Sequence, residues 1–110
     1  LQPDNQAKPE HLARQVRAIG QAGDVLVVIS MTGEEHRLIK AVEAALTQDM
    51  AVVALTVDSS GELSGLLGPQ DTELRVPAHR PARVFECYSF LLHAICELID
   101  MTLFPQQEDY

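Results

Sequence analysis

Two short runs of apolar, largely β-branched residues constrain the fold of this chain more than any other feature. They are VLVVI at Val25–Ile29 and AVVALTV at Ala51–Val57. Neither run alternates apolar with polar residues, which is typical of parallel strands covered on both faces. The segment from about 34 to 48 lies between them and carries apolar residues at helical spacing, namely Leu38, Ile39, Val42 and Leu46. The pattern predicts a right-handed βαβ unit with Val25–Ile29 as a central strand.

The rest of the chain continues the alternation of helix and strand. We expect a helix over about 9–21, a short helix over 62–67, a strand over 72–76 and a long helix over 81–103. This order predicts an α/β fold with a parallel sheet of about three strands and flanking helices. We assign 9–105 to one domain, 1–8 to a flexible lead-in and 106–110 to a disordered tail.

Composition narrows the classes of partner. The 110 residues include 8 basic and 16 acidic side chains, for a net charge of −8. That charge opposes nonspecific attraction to nucleic acid and to anionic lipid, so we expect no direct binding to either, although a basic protein would be attracted. The longest apolar stretch, Val84 to Phe104, contains Glu86, Glu97 and Asp100, which places it in a protein core instead of a bilayer.

The cysteines and histidines predict neither a disulfide nor a metal site. Cys87 and Cys96 are nine positions apart in one predicted helix, about 13 Å along its axis, which is too far for a disulfide. We expect both to be reduced and buried in a cytoplasmic protein. His11, His36 and His79 lie in polar contexts and should be exposed, so we expect no metal and no cofactor.

The predicted long helix is apolar on nearly every side, and a helix of that kind has to be covered all round. A chain this short offers it one face to pack against. We therefore predict a homo-oligomer formed through the helix around Val84 to Leu103, with a helix buried entirely within its own chain as the alternative.

The turn after the first strand, Ser30-Met31-Thr32-Gly33-Glu34-Glu35, has the outline of an anion cradle. Unpaired N–H groups and the helix dipole make the start of a helix attractive to phosphate. A carboxylate about 5 Å from a phosphate would oppose binding by roughly 3 kcal/mol per unit charge at an effective dielectric near 20. If Glu34 and Glu35 point inward, phosphate is rejected; the alternative is that they cap the helix and compensate its dipole.

Several separate segments together resemble the SIS (sugar isomerase) fold, a flavodoxin-like α/β architecture. They are Gly23 to Ser30, Gly33, Ile39 to Ala45, Asp49 to Met50, Val53 to Thr56, Gly61 to Asp71, Ala82 to Val84, Glu97 to Asp100 and Leu103 to Pro105. The resemblance covers about residues 10–107 and corresponds to the C-terminal half of such proteins. It is strongest to two branches, the phosphoheptose isomerases and the proteins that associate with the replication initiator DnaA. A chain that starts at Leu1 is then expected to be a fragment or a processed product.

The resemblance also implies candidate site residues. Ser30, Thr32 and Gly33 match positions that hold phosphate, whereas Met31, Glu34 and Glu35 depart from the family loop. On the long helix, His93 matches a catalytic or metal-binding histidine, and Phe85 replaces a glutamine. The isomerase's remaining acid–base residues belong to the half that has no counterpart here, and isomerisation needs both an acid and a base. The alternative is that His93 is an ordinary residue of the helix whose hydrogen bonds are satisfied there.

Three functional hypotheses follow. The first is a noncatalytic module that acts by oligomerisation and protein binding, with the replication initiator as candidate partner. The second is a phosphosugar-binding protein or a fragment of an isomerase acting on sedoheptulose 7-phosphate, and the third is a remnant without activity. The resemblance further implies a missing partner strand beside Val25–Ile29. We predict that this edge is covered by the N-terminal segment or by another subunit, because an open apolar edge invites strand pairing.

Overall fold

The computed structural model describes residues 9–57 and 61–105. The predicted lead-in 1–8, residues 58–60 and the predicted tail 106–110 lie outside the described residues. Seven elements follow one another: α1 (His11–Ile19), β1 (Val25–Ile29), α2 (His36–Thr47), β2 (Ala51–Val57), α3 (Gly61–Leu66), β3 (Thr72–Val76) and α4 (Pro81–Leu103). The three strands and the long helix have the predicted bounds, and the other helices begin or end within two residues of theirs.

The strands of the described chain form one parallel sheet in the order β1-β2-β3. The register pairs Val25 with Ala51 at the start of β1 and Ile29 with Leu55 at its end. β3 joins the other side of β2 in the same direction. The sheet is confirmed, but the prediction of a central position for Val25–Ile29 is wrong: β2 is central and β1 is an edge strand. A run of apolar residues indicates that a strand can be buried on both faces. Its place in the sheet, central or edge, depends on which strands lie beside it.

The two faces of the sheet are covered by different helices. On one face α1, α2 and α3 pack over a buried cluster made of Val28, Ile39, Val42, Ala45, Met50, Val52, Ala54 and Leu63. On the other face α4 packs over a second cluster made of Leu55, Val57, Val76, Val84 and Tyr88. α4 lies over β2 and β3, so the side chains of β1 on that face remain uncovered by the described residues.

The connection from α2 to β2 is tight because one residue turns the chain. Asp49 follows the helix end in a left-handed conformation, with φ of 62°. Aspartate tolerates this region better than most residues with a Cβ atom. The next residue, Met50, is buried in the first cluster, so the strand starts directly against the core.

Two sets of large apolar side chains are exposed among residues 9–57 and 61–105. On β1, Val25, Val27 and Ile29 retain 41–56% exposure. Large apolar side chains on and just after α4 are also exposed, namely Phe85, Phe90, Leu98, Ile99, Met101, Leu103 and Phe104. Within the described residues, α4 is therefore not buried entirely by its own chain, as the alternative prediction required.

The cysteines lie on α4 and both are free. Cys87 is partly buried, but Cys96 is exposed, so the expectation of two buried thiols is wrong for Cys96. The reason is that Cys96 lies beyond the part of α4 that reaches the sheet. None of the helices described here combines the length and the apolar character needed to cross a membrane.

Candidate functional site

The loop from Ser30 to Glu35 connects the carboxyl end of β1 to the start of α2. Ser30 is fully buried and extends the ladder, because its N–H donates to the Leu55 carbonyl at 2.9 Å. Ligands of open α/β sheets gather at this end of the strands. The loop therefore occupies the position where a parallel sheet most often presents a binding site.

The carboxylate of Glu35 occupies the inside of this loop. Its Oε1 accepts a hydrogen bond of 2.6 Å from the Ser30 hydroxyl. Its Oε2 accepts from the backbone N–H of Met31 at 2.8 Å and from that of Thr32 at 3.3 Å. One hydroxyl and two amides thus converge on a single carboxylate, which is the donor set that an anion would need.

Three further hydrogen bonds fix the shape of the loop. Gly33 N–H donates to the Ser30 hydroxyl oxygen at 2.6 Å, and Glu34 N–H donates to Thr32 Oγ1 at 3.0 Å. The Gly33 carbonyl accepts from Leu63 N–H at 2.9 Å, which joins the loop to α3. Gly33 adopts φ of 77°, a conformation that favours glycine. The donors are therefore held in place before any ligand arrives.

The two glutamates behave differently. Glu34 is exposed, whereas Glu35 is the N-cap residue of α2 with extended backbone angles. The Glu35 side chain makes no capping hydrogen bond to its own helix. For Glu35, the structure therefore has the inward arrangement and not the capping arrangement.

Glu35 is held in its charged form. Desolvation by burial raises the pKa of its carboxyl, but the hydrogen bonds from Ser30, Met31 and Thr32 outweigh that effect, and the net pKa is lowered from 4.5. Hydrogen bonds to a carboxylate favour ionisation. The loop therefore already contains a negative charge at neutral pH.

Tyr88 of α4 supports the loop from the opposite side. Its hydroxyl donates to the Ser30 carbonyl and lies 3.1 Å from the Leu55 carbonyl. Burial, and then the charge of Glu35, raise the pKa of Tyr88 to about 12. The sequence pattern assigns Tyr88 to the long helix and predicts no role for it at the loop. The signal available was its hydroxyl, since a buried tyrosine needs a hydrogen-bond partner.

A second polar cluster, which the sequence analysis does not predict, lies where α3 meets β2 and β3. Glu73 Oε2 accepts from Thr56 Oγ1 and Ser64 Oγ at 2.6 Å each and from Arg75 at 3.2 Å. Desolvation raises the pKa of Glu73, but these partners outweigh it and lower the pKa overall. Its members come from β2, α3 and β3, so no local sequence motif predicts the cluster. The cluster satisfies polar groups where α3 meets the sheet.

The histidines do not converge. His93 is exposed on α4, and its catalytic role stays a prediction. His11, His36 and His79 are exposed as expected. Among the residues that the structure describes, no three His, Cys, Asp or Glu side chains form a group that could hold a metal ion. The described residues thus form a loop with the donor set for an anion, which Glu35 fills, and Tyr88 lies behind it with its hydroxyl bonded to the Ser30 carbonyl.

Known proteins match this chain in both sequence and structure. The family model for the SIS domain matches residues 4–57. DnaA initiator-associating proteins DiaA from Cronobacter sakazakii and from Escherichia coli K12 are each 56% identical over 100 residues, which cover 91% of this chain and 51% of the relative.

Solved structures of phosphoheptose isomerases share the fold. The enzyme from Francisella tularensis matches with a TM-score of 0.84 and 34% identity, over 90% of this chain and 52% of that one. The enzyme from Neisseria gonorrhoeae matches with a TM-score of 0.83 and 42% identity, over 89% of this chain and 54% of that one. This chain spans about half the length of the relatives it matches. Its residues 4–57 match the SIS domain family model, and its described fold is that of the two phosphoheptose isomerases over about half of their length.

Proposed function

We propose that this chain is a noncatalytic SIS module that acts by binding protein, with the replication initiator DnaA as partner and a homo-oligomer as its working form. The observation that carries the proposal is the Glu35 carboxylate, which takes up the hydroxyl and amide donors of the loop. The 56% identity to DnaA initiator-associating proteins supports the choice of partner.

Electrostatics support the noncatalytic part. A phosphate entering the loop would have to displace a charged carboxylate or sit beside it. The second course costs roughly 3 kcal/mol per unit charge at 5 Å, against the roughly 8 kcal/mol that underlie micromolar affinity. Displacing the carboxylate would forfeit charge-assisted hydrogen bonds instead. Either route leaves the loop a weak phosphate site.

A two-part binding experiment tests the proposal. The purified chain is expected to retain purified DnaA in a pull-down and to give no heat with sedoheptulose 7-phosphate in calorimetry. A Glu35→Ser variant, which removes the internal carboxylate, should gain measurable phosphosugar affinity while it still retains DnaA. Micromolar phosphosugar binding by the unaltered chain, or failure to retain DnaA, would contradict the proposal.

The second candidate function is phosphosugar binding, as part of a phosphoheptose isomerase. The observation that favours it is the fold shared with two such enzymes at 34% and 42% identity. His93 would then serve catalysis, with the other acid–base groups contributed by residues outside this chain. Turnover of sedoheptulose 7-phosphate, lost in a His93→Ala variant, is the result that would establish it. A chain that responds in neither the binding assays nor this one would instead be a remnant without activity.

The homo-oligomer is proposed to form through α4. The exposed apolar side chains from Phe85 to Phe104 form a surface of the kind that marks protein interfaces. A cytoplasmic location accompanies the proposed partner, and both cysteines are free thiols, as they would be in a reducing compartment.

A further inference from the structure

The basic side chains of this chain are unevenly distributed over its surface. Half of the eight lie on α1 and α2, namely Arg14, Arg17, Arg37 and Lys40. The three arginines are exposed and Lys40 is partly exposed. In each helix the two cations are three positions apart, which makes them neighbours on the helix surface. These four side chains form a surface, the basic face, on a chain whose net charge is −8.

Two of these cations are engaged by acidic neighbours. Glu10, the N-cap residue of α1, lies 3.7 Å from Arg17, and Glu43 of α2 lies 3.7 Å from Lys40. All four side chains reach solvent, and surface pairs of this kind are worth about 0–1 kcal/mol each. The pairs therefore neutralise part of the basic face without closing it to a partner.

The other two cations, Arg14 and Arg37, have no acidic partner. Within residues 9–57 and 61–105, neither guanidinium group forms an ion pair or a hydrogen bond. Glu34 and Glu35 precede the start of α2, but the Glu35 carboxylate is turned into the loop. An incoming carboxylate would not have to break an existing ion pair at either arginine.

The basic face crosses two helices that lie side by side and run in the same direction. Each leads into a strand of the parallel sheet, and both pack on the same face of it. Gln48, just after α2, donates from its side chain to the carbonyl of Gly20, just after α1, at 2.9 Å. Counting back from this contact at about 1.5 Å per residue places Arg14 about 9 Å and Arg37 about 16 Å along the two helix axes. With the axes about 9 Å apart, the backbones of these arginines are about 12 Å from each other.

Local charge, and not net charge, governs what binds at this face. Charges are screened over about 8 Å at physiological ionic strength. Acidic side chains on the far side of a molecule that measures 30 Å in its smallest dimension therefore contribute little here. The face itself has four cations against the two carboxylates of Glu10 and Glu43. It is thus positive on an otherwise acidic chain.

The chemistry of the face fits protein carboxylates better than a nucleic acid. A guanidinium group binds a carboxylate through two parallel hydrogen bonds. DNA carries one negative charge about every 1.7 Å, so a strand that crossed the face would also meet Glu10 and Glu43. Neither α1 nor α2 contains an aromatic side chain on which a base could stack. In an extended protein segment, residues four positions apart are about 13 Å from each other, close to the spacing of Arg14 and Arg37.

We propose that the basic face docks an extended acidic segment of a partner protein. Carboxylates four positions apart in that segment pair with Arg14 and Arg37, and Arg17 and Lys40 add positive charge around them. The proposal needs neither DnaA as the partner nor an oligomer through α4, so it goes beyond the function proposed above. It assigns this face to an acidic partner, whereas the net charge of the chain favours basic ones.

An NMR titration with peptides of known charge tests the face. The probe is a peptide of about twelve residues in which Glu and Ser alternate, so that carboxylates recur four positions apart on an extended chain. The control peptide has Gln in place of every Glu. Added to the full 110-residue chain at physiological salt, the Glu peptide should shift the guanidinium resonances of Arg14 and Arg37. The Gln peptide should leave them unchanged.

Two double variants with the same change in net charge separate the basic face from charge in general. Arg14→Glu combined with Arg37→Glu reverses the two arginines without a partner. Arg80→Glu combined with Arg83→Glu makes the same change at the start of α4. We expect the first to lower affinity for the Glu peptide at least about tenfold, and the second to leave it within about threefold.

Four results would overturn the proposal. The first is that neither arginine responds to the Glu peptide, and the second is that the shifts lie on another surface. The third is an equal loss of affinity in the two double variants, which would make net charge the cause. The fourth is tighter binding of single-stranded DNA than of the Glu peptide at the same face, which would assign the face to nucleic acid. Unchanged β-strand resonances in each double variant show that it is folded, so a loss of affinity reports on the side chains that were replaced.

Discussion

Glu34 and Glu35 are adjacent and carry the same charge, yet among the described residues the loop's hydroxyl and amide donors bond to the carboxylate of Glu35. The difference comes from the backbone at Glu35, which is extended with φ of −68° and ψ of 115° at the start of α2. That conformation lets its carboxylate reach back to Ser30, Met31 and Thr32. The Glu35 carboxylate thus takes the hydrogen bonds that the loop could otherwise donate to a ligand.

Replacing Glu35 by glutamine should weaken the fold in a pH-dependent way. Because the folded pKa lies below the unfolded value of 4.5, the carboxylate contributes its full stability above about pH 4.5. That contribution is lost as the pH falls through the folded pKa. At pH 7 we expect Glu35→Gln to lower the free energy of unfolding by about 1–3 kcal/mol, with a smaller difference from the unaltered chain at pH 3. Urea unfolding across this range measures both.

The control for this change is Glu34→Gln. It removes the same charge from an exposed side chain and should change the free energy of unfolding at pH 7 by less than about 0.5 kcal/mol. Equal losses in the two variants would mean that net charge, and not the loop's hydrogen bonds, governs the effect.

Two glycines in α3 should respond oppositely to alanine. Gly61 has φ of 64°, and a Cβ atom there would lie 2.8 Å from the Gly33 carbonyl oxygen. Gly61→Ala should therefore destabilise the fold by about 1–3 kcal/mol. Gly65 has open space where a Cβ would be, so Gly65→Ala should stabilise it by up to about 1 kcal/mol. Thermal unfolding distinguishes them, and a stabilised Gly61→Ala would contradict the close contact.

At the scale of elements, local patterns predicted what forms but not how the parts combine. The apolar runs predicted the three described strands and the helical spacing predicted the helices between them, because both periodicities are local properties of the sequence. The position of β1 at the edge depends on which strands are present beside it. Likewise Ser30, Thr32 and Gly33 were recognised as a loop, whereas the inward turn of Glu35 depends on a single backbone conformation. The Tyr88 contact joins residues 58 positions apart, beyond any local signal.

The link between α4 and the loop predicts a titration that identifies Tyr88. Its pKa is raised to about 12 by burial and by the charge of Glu35. The neutral hydroxyl thus contributes stability below about pH 10, which is lost as the pH rises toward 12. Ultraviolet titration should show a tyrosine step near pH 12 that disappears in Tyr88→Phe. The free energy of unfolding of Tyr88→Phe at pH 7 should also be lower by about 1–2 kcal/mol, because the Ser30 carbonyl loses its hydroxyl donor.

The chain has two tyrosines, so the contradicting result is that both are fully ionised near pH 10 in the folded chain, with no step near pH 12. Phe90→Leu is a suitable control, because Phe90 is 70% exposed on the same helix and carries no hydroxyl. Its titration curve should match that of the unaltered chain, and its free energy of unfolding should change by less than about 0.5 kcal/mol.

At the scale of the whole molecule, two tendencies oppose each other. The apolar surface of α4 favours association, whereas the net charge of −8 makes copies of the chain repel one another. Repulsion between exposed charges is screened over about 8 Å at physiological ionic strength, but contact between apolar side chains is not weakened by salt. Association through α4 should therefore strengthen as the salt concentration rises, the reverse of the behaviour of an interface held by ion pairs.

This balance gives a test of the proposed oligomer by sedimentation velocity. The unaltered chain should sediment as a species larger than a monomer, and the oligomeric fraction should grow between 50 mM and 500 mM salt. Leu98→Asp places a charge at a side chain that is 61% exposed on α4 and should shift the chain to monomer without unfolding it. Glu97→Ala, an exposed neighbour on the same helix, should leave the oligomer intact. A monomer at every salt concentration would exclude α4 as the interface. Equal effects of Leu98→Asp and Glu97→Ala would exclude it as well, because an interface that buries Leu98 should be disrupted by the first substitution and not by the second.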